Sequence, residues 1–252
     1  MSRVPIYLIT FFTYAALHMM VMTYSFNKHY YQVVFGVSNL FLGILDSIIY
    51  LSVAIGTFAR YSIVNNLHPV QGTFYTAFPM AFGLAIIPIA AFIYQNDSSI
   101  GHATPFIYFI FVIAALLFGF FQLNFFPAML TIFGNSFNIK NDGRIAGIWS
   151  SKSNAGNILG FLISNLLVYQ FKVKWEYTII ICSSFLIIMA ILLRCFIKNP
   201  DFKQQPRITS RQLFEFFRKI WSHTEFKLYI LSFSFFKAVI YSYELWTPKF
   251  LV

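Results

Sequence analysis

Charged residues are scarce in this 252-residue chain. Asp, Glu, Lys and Arg make up 10% of it, whereas 58% of the residues are hydrophobic. Soluble domains carry about 25% charged residues. Because so few charges cannot cover the surface of a globule, we infer that lipid is the main solvent of this chain.

Cysteine and catalytic motifs are equally rare. The two cysteines, Cys182 and Cys195, share one apolar run, which favours buried thiols over a disulfide. The sequence contains no Cys/His cluster with metal-ligand spacing, no P-loop, no GxSxG, no HExxH and no carboxylate pair suited to hydrolysis. It therefore predicts no cofactor and no enzymatic activity. The first apolar stretch also lacks a small-residue cleavage site, so no cleavable signal peptide is predicted.

Long apolar runs dominate the remainder. A membrane-spanning helix needs about 20 mainly apolar residues, and seven segments meet that length. The sequence therefore predicts an all-α, polytopic membrane protein that contacts the lipid bilayer. The predicted spans are 5–25, 40–59, 73–94, 105–133, 145–169, 177–197 and 226–252.

The basic residues predict the orientation of these spans. The net charge is +10, and cytoplasmic loops of membrane proteins collect Lys and Arg. This explanation makes a nucleic-acid partner unnecessary. With the N-terminus in the cytoplasm, 12 of the 18 basic residues fall on the inside. The outside segments would then hold only Lys28, Lys172, Lys174 and Lys249.

One sizeable polar stretch, 198–225, divides the chain. It separates a predicted six-helix half, 1–197, from a single helix at 226–252. Leu213, Phe216, Phe217 and Ile220 recur at helical spacing. They predict a basic amphipathic helix on the cytoplasmic membrane face. Six spans, a basic linker and a further span match the plan of transporters built from two six-helix halves. We therefore expect the second half to be incomplete. Transport would then require the missing half or a partner chain.

The segment 133–162, FGNSFNIKNDGRIAGIWSSKSNAGNILGFL, is the most informative part of the chain. Its helix carries Lys152, Asn154 and Asn157 beside small residues. A membrane helix with amides and a lysine on one side must face something other than lipid. The pattern is typical of a helix that lines a solute pathway, although a lysine reaching for the inner interface is an alternative.

The seventh span adds a second polar face. Lys237 and Glu244 lie seven residues apart, so two helical turns place them on one side, with Tyr241 between them. They could form a cavity wall, or each could extend to an opposite interface. Lys152 and Lys237 together could hold a phosphate-like anion that relieves their mutual repulsion.

Other polar residues in the spans leave more than one interpretation open. Asp46 could cap or pair with a neighbouring helix. His18 could pack as a satisfied polar group or contact a ligand. Gln122 and Asn124 could hydrogen-bond to a substrate or join two helices.

Four segments in order resemble the major facilitator superfamily, and within it the sugar-phosphate exchangers of solute carrier family 37. FLGILDSIIYLSVAIG (41–56) is similar to the family's FLG-LD-…-AIG pattern. GRIAGIWSSKSNAGNILG (143–160) resembles its RG-…-GIWNSH-S-GNILG block. FKAVIYSYELWTP (236–248) resembles AK-VSY-FLYWLP, and Pro127 with 134–135 matches the end of the fourth span.

The resemblance implies alternating access and exchange of a phosphorylated sugar or glycerol phosphate for inorganic phosphate. It also implies that Lys237 faces the substrate cavity. Residence in the endoplasmic reticulum membrane would be consistent with it. His18, Gln122, Lys152, Asn154, Asn157, Lys237 and Tyr241 are accordingly the predicted substrate-binding residues.

The sequence also departs from the family pattern. In the first span TYAALHMMVMTYS (13–25) keeps His18, but Val21 and Met22 stand where the family has Arg-Lys. Arg is the preferred bidentate phosphate ligand. One hypothesis is that the cation has moved to Lys152 in the fifth span. The competing one is that phosphate binding is weakened or lost, as in a truncated or degenerate non-transporting relative. A seven-helix receptor fits the span count but not the predicted orientation.

Overall fold

The protein is built from α-helices. The computed structural model describes residues 3–63, 67–95, 105–137, 143–197 and 210–250, and within these ranges no strand occurs. The all-α fold class is thereby confirmed. The helices are α1 (Arg3–Phe26), α2 (Lys28–Phe35), α3 (Asn39–Ile63), α4 (Pro69–Gln95), α5 (Pro105–Phe121), α6 (Phe125–Ser136), α7 (Gly143–Ser150), α8 (Lys152–Asn165), α9 (Glu176–Phe196), α10 (Ser210–Trp221) and α11 (Thr224–Phe250).

Five stretches of helix in the described ranges are long and apolar enough to cross a membrane. They correspond to the first, second, third, fourth and sixth predicted spans, which identifies a multi-pass integral membrane protein. The other two predicted spans fall on α7–α8 and on α11, and they stay predictions. The five stretches are Val4–Phe26, Asn39–Arg60, Pro69–Tyr94, Pro105–Ser136 and Glu176–Phe196.

The segment of the fifth predicted span is divided between two α-helices. Helix α7 ends at Ser150 and α8 begins at Lys152. Between them, the Ser151 N–H donates to the carbonyl of Ile148 at 3.1 Å and its hydroxyl to the same oxygen at 2.7 Å. A serine side chain that competes for a backbone carbonyl disturbs the regular helical ladder. A five-residue π-helical segment, Leu166–Gln170, then follows α8.

Helix α1 lies at the centre of the bundle. It packs against α6, α8, α9 and α11, while α4 packs against α5 and α9. Helices α1 and α8 approach each other closely where Gly156 faces the backbone of α1. A Cβ atom at Gly156 would collide with the Ala15 carbonyl oxygen and lie 2.7 Å from the Cβ of His18. Small residues allow membrane helices to pack this closely.

This contact makes a prediction for Gly156→Val. Overpacking a tight contact costs about 1–3 kcal/mol, and the colliding atoms belong to the α1 backbone, which cannot rotate away. We expect a lower midpoint in thermal unfolding of the detergent-purified protein, followed by intrinsic fluorescence. Gly147→Ala is the matched control, because a Cβ at Gly147 would have no neighbour within 4 Å. Equal midpoints for the two variants would contradict the packing role of Gly156.

Helix α10 has the amphipathic, basic character that the sequence predicts. Arg211 and Glu215 form an exposed pair one turn apart at 3.1 Å, and Arg218 and Lys219 lie in its last turn. Phe217 contacts Phe58 of α3 with ring centroids 5.5 Å apart. The helix is thus confirmed over Ser210–Trp221, whereas the first part of the predicted linker, 198–209, lies outside the described residues.

Candidate functional site

Helix α11 is held to the bundle by its last turns. Only Leu245 and Pro248 are buried among its residues. Pro248 lacks an N–H, so it leaves the carbonyl of Glu244 without its usual helical donor. The hydroxyl of Ser25, at the end of α1, donates towards this carbonyl at 3.4 Å and also to the carbonyl of Leu245. The contacts connect the end of α1 to the end of α11.

A buried ion pair strengthens the same junction. The ammonium group of Lys28 donates to Asp46 Oδ2 at 2.6 Å and to the Leu245 carbonyl at 3.0 Å. It also lies 4.4 Å from the ring centroid of Trp246, and Tyr24 donates to Asp46 Oδ1 at 3.3 Å. Burial lowers the pKa of the Lys28 amine, and the Asp46 carboxylate opposes this shift.

This geometry adds a feature that the sequence did not predict. Lys28 is buried, because its side chain is 0% exposed. Lys28 follows the first apolar run directly, and hydropathy cannot reveal that α2 packs against the bundle. The structure also decides between the two interpretations of Asp46, which pairs with Lys28.

A chain of hydrogen bonds crosses the middle of the bundle. His18 Nδ1 lies 3.3 Å from Asn157 Oδ1, and Asn157 Nδ2 donates to Glu244 Oε1 at 3.1 Å. The three side chains belong to α1, α8 and α11. Asn157 is buried, and its short amide can bridge the other two because Gly156 allows α8 to approach α1 closely. This arrangement connects two of the predicted site residues, His18 and Asn157, to Glu244.

Lys152 points into an aromatic enclosure. Its side chain is buried, and its ammonium nitrogen lies 3.4 Å from the ring centroid of Trp149 and 4.8 Å from that of Tyr14. Aromatic faces attract cations, more strongly where water is excluded. Within the described residues no carboxylate lies in salt-bridge range of Lys152. The residue is therefore a buried cation stabilised by ring faces and not by a counter-charge.

Lys237 lines a cavity between α3 and α11. This cavity has a volume of about 610 Å³ and is also lined by Asp46, Tyr50 and Tyr241. Tyr50 and Tyr241 stack with centroids 4.5 Å apart, and the Lys237 ammonium lies 5.1 Å from the Tyr241 ring. Lys237 therefore lies beside a pair of stacked rings.

A second cavity lies on the other side of α11, against α1 and α8. It has a volume of about 310 Å³, and Met22, Asn157, Glu244 and Pro248 are among its lining residues. Asn157 and Glu244 thus belong to this cavity, whose exposed lining is apolar, while Lys237 borders the first one.

The remaining two predicted site residues lie elsewhere. Asn154 is exposed on α8, and Gln122 is half-buried in the 3-10 turn (Gln122–Asn124) between α5 and α6. Neither lines the two cavities described above. Next to Gln122, Asn124 accepts a hydrogen bond from Arg60 at 3.2 Å. This contact favours the helix-joining interpretation for that turn.

Sequence reasoning did not select three aromatic residues that surround the lysines: Tyr14, Tyr50 and Trp149. A usable signal existed for two of them. Tyr14 precedes His18 by four residues and Trp149 precedes Lys152 by three, so each shares a helical face with the polar residue. No local spacing relates Tyr50 to Tyr241, because they meet only through packing of α3 on α11.

Apolar helices that enclose lysines, a carboxylate and amides define a multi-pass membrane protein with a polar interior, the architecture of a solute carrier. The chain belongs to the Major Facilitator Superfamily, a family of membrane transporters, whose model matches residues 7–252. The family assignment that the sequence motifs indicated is thereby confirmed.

Three relatives show which members of the superfamily this chain resembles. The chain is 28% identical over 152 residues to "Sugar phosphate exchanger 3" of Xenopus laevis, covering 58% of this chain and 27% of that protein. It is 25% identical over 216 residues to the Mus musculus protein of the same name, covering 72% and 40%. It is 28% identical over 85 residues to "Putative glycerol-3-phosphate transporter 1" of Arabidopsis thaliana, covering 34% and 16%. The chain thus spans less than half the length of these relatives.

Proposed function

We propose that this protein carries phosphorylated organic anions, such as a sugar phosphate or glycerol phosphate, across a membrane in exchange for inorganic phosphate. The observation that carries the proposal is the pair of lysines, Lys152 and Lys237, that lie among the apolar helices. Lys152 has no carboxylate in salt-bridge range within the described residues, and Lys237 lines an open cavity. Ionisable residues inside membrane proteins commonly mark substrate pathways.

The balance of interior charge favours an anionic substrate. Asp46 is matched by Lys28, so this pair contributes no net charge. Glu244 is the one other carboxylate among the residues that line the two cavities, whereas Lys152 and Lys237 supply two positive charges. An anionic phosphoryl group would offset the excess positive charge. It would also accept charge-assisted hydrogen bonds from the ammonium groups.

The names of the relatives agree with this substrate class, since they are a sugar phosphate exchanger and a putative glycerol-3-phosphate transporter. Transport by alternating access uses a site between two helical halves. We infer that residues 1–197 form the first half, that 198–225 connect it on the cytoplasmic side, and that 226–252 begin the second. In this proposal α1, α3, α8 and α11 form one wall of the central cavity.

The proposed orientation places the N-terminus and α10 on the cytoplasmic side. The exposed Arg211, Arg218 and Lys219 would then meet the membrane surface on the side where basic residues accumulate. The endoplasmic reticulum membrane is the proposed location, because the sequence resembles the family 37 exchangers.

Binding tests the proposal directly. We expect the chain, purified in lipid nanodiscs, to bind glucose 6-phosphate or glycerol 3-phosphate and not glucose or glycerol, as measured by isothermal titration calorimetry. The physical reason is that the phosphoryl group supplies the charge that the lysines require. Affinity should fall as ionic strength rises, because salt screens charge attraction.

Two results would count against the proposal. Equal binding of glucose and glucose 6-phosphate would remove the role of the phosphoryl group. Phosphate-dependent binding without counterflow of labelled phosphate, in proteoliposomes that also contain the second helical half, would instead favour the non-transporting alternative. The observation favouring that alternative is the absence of the first-span Arg-Lys, where Val21 and Met22 stand.

A further inference from the structure

A groove between α4 and α9 lies apart from the two cavities that α11 borders. It has a volume of about 490 Å³, and its described lining residues all belong to these two helices. Both helices are long and apolar enough to cross a membrane, and Phe82, which lines the groove, is 57% exposed. The groove therefore opens towards lipid. Phe78, Ala81, Phe82, Ile180, Ser183 and Ile187 are among its lining residues.

Ser183 brings a buried hydroxyl group without a partner to this groove. The residue is 4% exposed, and its Oγ makes no hydrogen bond with any described residue. A serine within a helix can donate to the carbonyl one turn before it, as Ser150 does to Ala146 at 2.9 Å. Buried polar groups that lack a partner are rare and require an explanation. The Ser183 hydroxyl is thus available to a partner from outside the protein.

The depth of Ser183 in the membrane restricts the chemistry of that partner. Ser183 lies seven residues after Glu176, where α9 begins, which corresponds to about 10 Å along a helix axis. This is about a third of the way through a hydrocarbon core roughly 30 Å thick. Charged groups are costly at such a depth, and none of the described residues that line the groove is charged. The partner is therefore a neutral polar group carried by a hydrocarbon body.

The walls of the groove favour a flat and rigid body. Ala81 and Ala85 lie one helical turn apart on the face of α4 that lines the groove, and their methyl groups leave a shallow floor. Phe78 and Phe82 also lie one turn apart and add aromatic surface beside this floor. A rigid ring system loses less conformational entropy on binding than a flexible acyl chain does. The shape therefore fits fused rings better than a single chain.

We propose that the groove between α4 and α9 is a binding site for a membrane sterol, whose single hydroxyl group hydrogen-bonds to Ser183. The sterol rings lie along Ala81 and Ala85, and the two hydroxyl groups satisfy each other, because each can donate or accept. Binding of the sterol stabilises the folded protein by mass action. This site is separate from Lys152 and Lys237, so sterol binding is a property distinct from the transport of a solute.

Competitive photolabelling tests the site. The full chain in phosphatidylcholine nanodiscs is labelled with a photoactivatable cholesterol analogue, and the labelled peptides are identified by mass spectrometry. We expect the labels within residues 78–85 of α4 or 180–187 of α9, which contain the lining residues. Cholestanol should displace the analogue. Cholestane, which differs from cholestanol only in lacking the hydroxyl group, should compete about twofold to tenfold less well, the loss expected for one neutral hydrogen bond.

Variants at Ser183 test the hydroxyl contact. In Ser183→Ala, cholestanol and cholestane should compete equally, because the group that distinguishes them is absent. Ser183→Thr keeps a hydroxyl group and should keep the preference for cholestanol. Ser150→Ala is the matched control, because Ser150 is exposed and its hydroxyl already donates to Ala146. Ser183→Ala should also be no less stable than the wild type in sterol-free nanodiscs, because it removes a hydroxyl group that has no partner in the protein.

Four results would overturn the inference. Labels spread evenly over the spans, or absent from both α4 and α9, would remove the site. Equal competition by cholestanol and cholestane in the wild type, or an unchanged preference in Ser183→Ala, would remove the hydrogen bond. Stronger competition by dioleoylglycerol than by cholestanol would show that a flexible neutral lipid occupies the groove. A lower midpoint of thermal unfolding for Ser183→Ala in sterol-free nanodiscs would show that the hydroxyl group has a partner within the protein.

Discussion

Replacing Lys28 with methionine should destabilise the protein by about 3–5 kcal/mol, because it leaves a buried carboxylate without its partner. The Asp46 side chain is 9% exposed, so water cannot solvate it fully in place of the ammonium group. The Leu245 carbonyl and the Trp246 ring would lose the same partner. Asp46→Leu should also destabilise the protein, because it leaves the buried Lys28 ammonium group without a counter-charge.

The double variant Lys28→Met/Asp46→Leu tests the physical cause. Apolar residues of similar volume often replace a buried ion pair at little or no cost. We therefore expect the double variant to be more stable than either single variant, in denaturant unfolding of the detergent-purified protein. Arg211→Gln is the control, because it breaks an exposed pair one turn apart and should change stability very little. Additive losses in the double variant would show that the two residues do not act as a pair.

Removing either interior lysine of the proposed site should weaken the binding of phosphorylated ligands. A hydrogen bond to a charged group contributes about 1.5–3 kcal/mol, and 1.4 kcal/mol corresponds to a tenfold change in affinity. Lys152→Met and Lys237→Met should each raise the dissociation constant for glucose 6-phosphate by roughly tenfold to a hundredfold. Methionine preserves most of the side-chain volume, so the aromatic rings around Lys152 keep a packing partner.

Matched lysines elsewhere provide the controls. Lys174 precedes α9 and Lys227 lies in the first turns of α11, and both are exposed. Lys174→Met and Lys227→Met should bind glucose 6-phosphate as the wild type does. Undiminished binding by Lys152→Met would reject the hypothesis that the cation missing from the first span has been relocated to the fifth. Undiminished binding by Lys237→Met would show that Lys237 of α11 does not contribute to the proposed site.

The sequence was sufficient for the helical class and for most helix positions, because both follow from long apolar runs and from interruptions by polar residues. It also led to the prediction of Lys152, Asn157 and Lys237 as site residues, since polar residues within apolar runs are conspicuous. It did not predict the break at Ser151. That break depends on a hydroxyl competing for the Ile148 carbonyl, and serine occurs in many unbroken helices.

The Lys28–Asp46 pair and the His18–Asn157–Glu244 chain were beyond sequence reasoning for another reason. Each joins helices that are distant in the chain, and local periodicity carries no information on which faces meet. His18 and Asn157 are separated by 139 positions. Their contact depends on the close approach of α8 to α1. Gly156 permits this approach, but the presence of a glycine at that position does not predict which helix it faces.

One feature of the α11 junction bears on how homologous chains should be compared. Lys28 and Ser25 both reach the backbone oxygen of residue 245, not the leucine side chain. Every amino acid has this backbone oxygen, so the residue at position 245 can change during evolution without loss of the two contacts. We therefore expect little correlated substitution between positions 28 and 245. Homologues that keep this junction are better recognised by residues equivalent to Lys28 and Asp46.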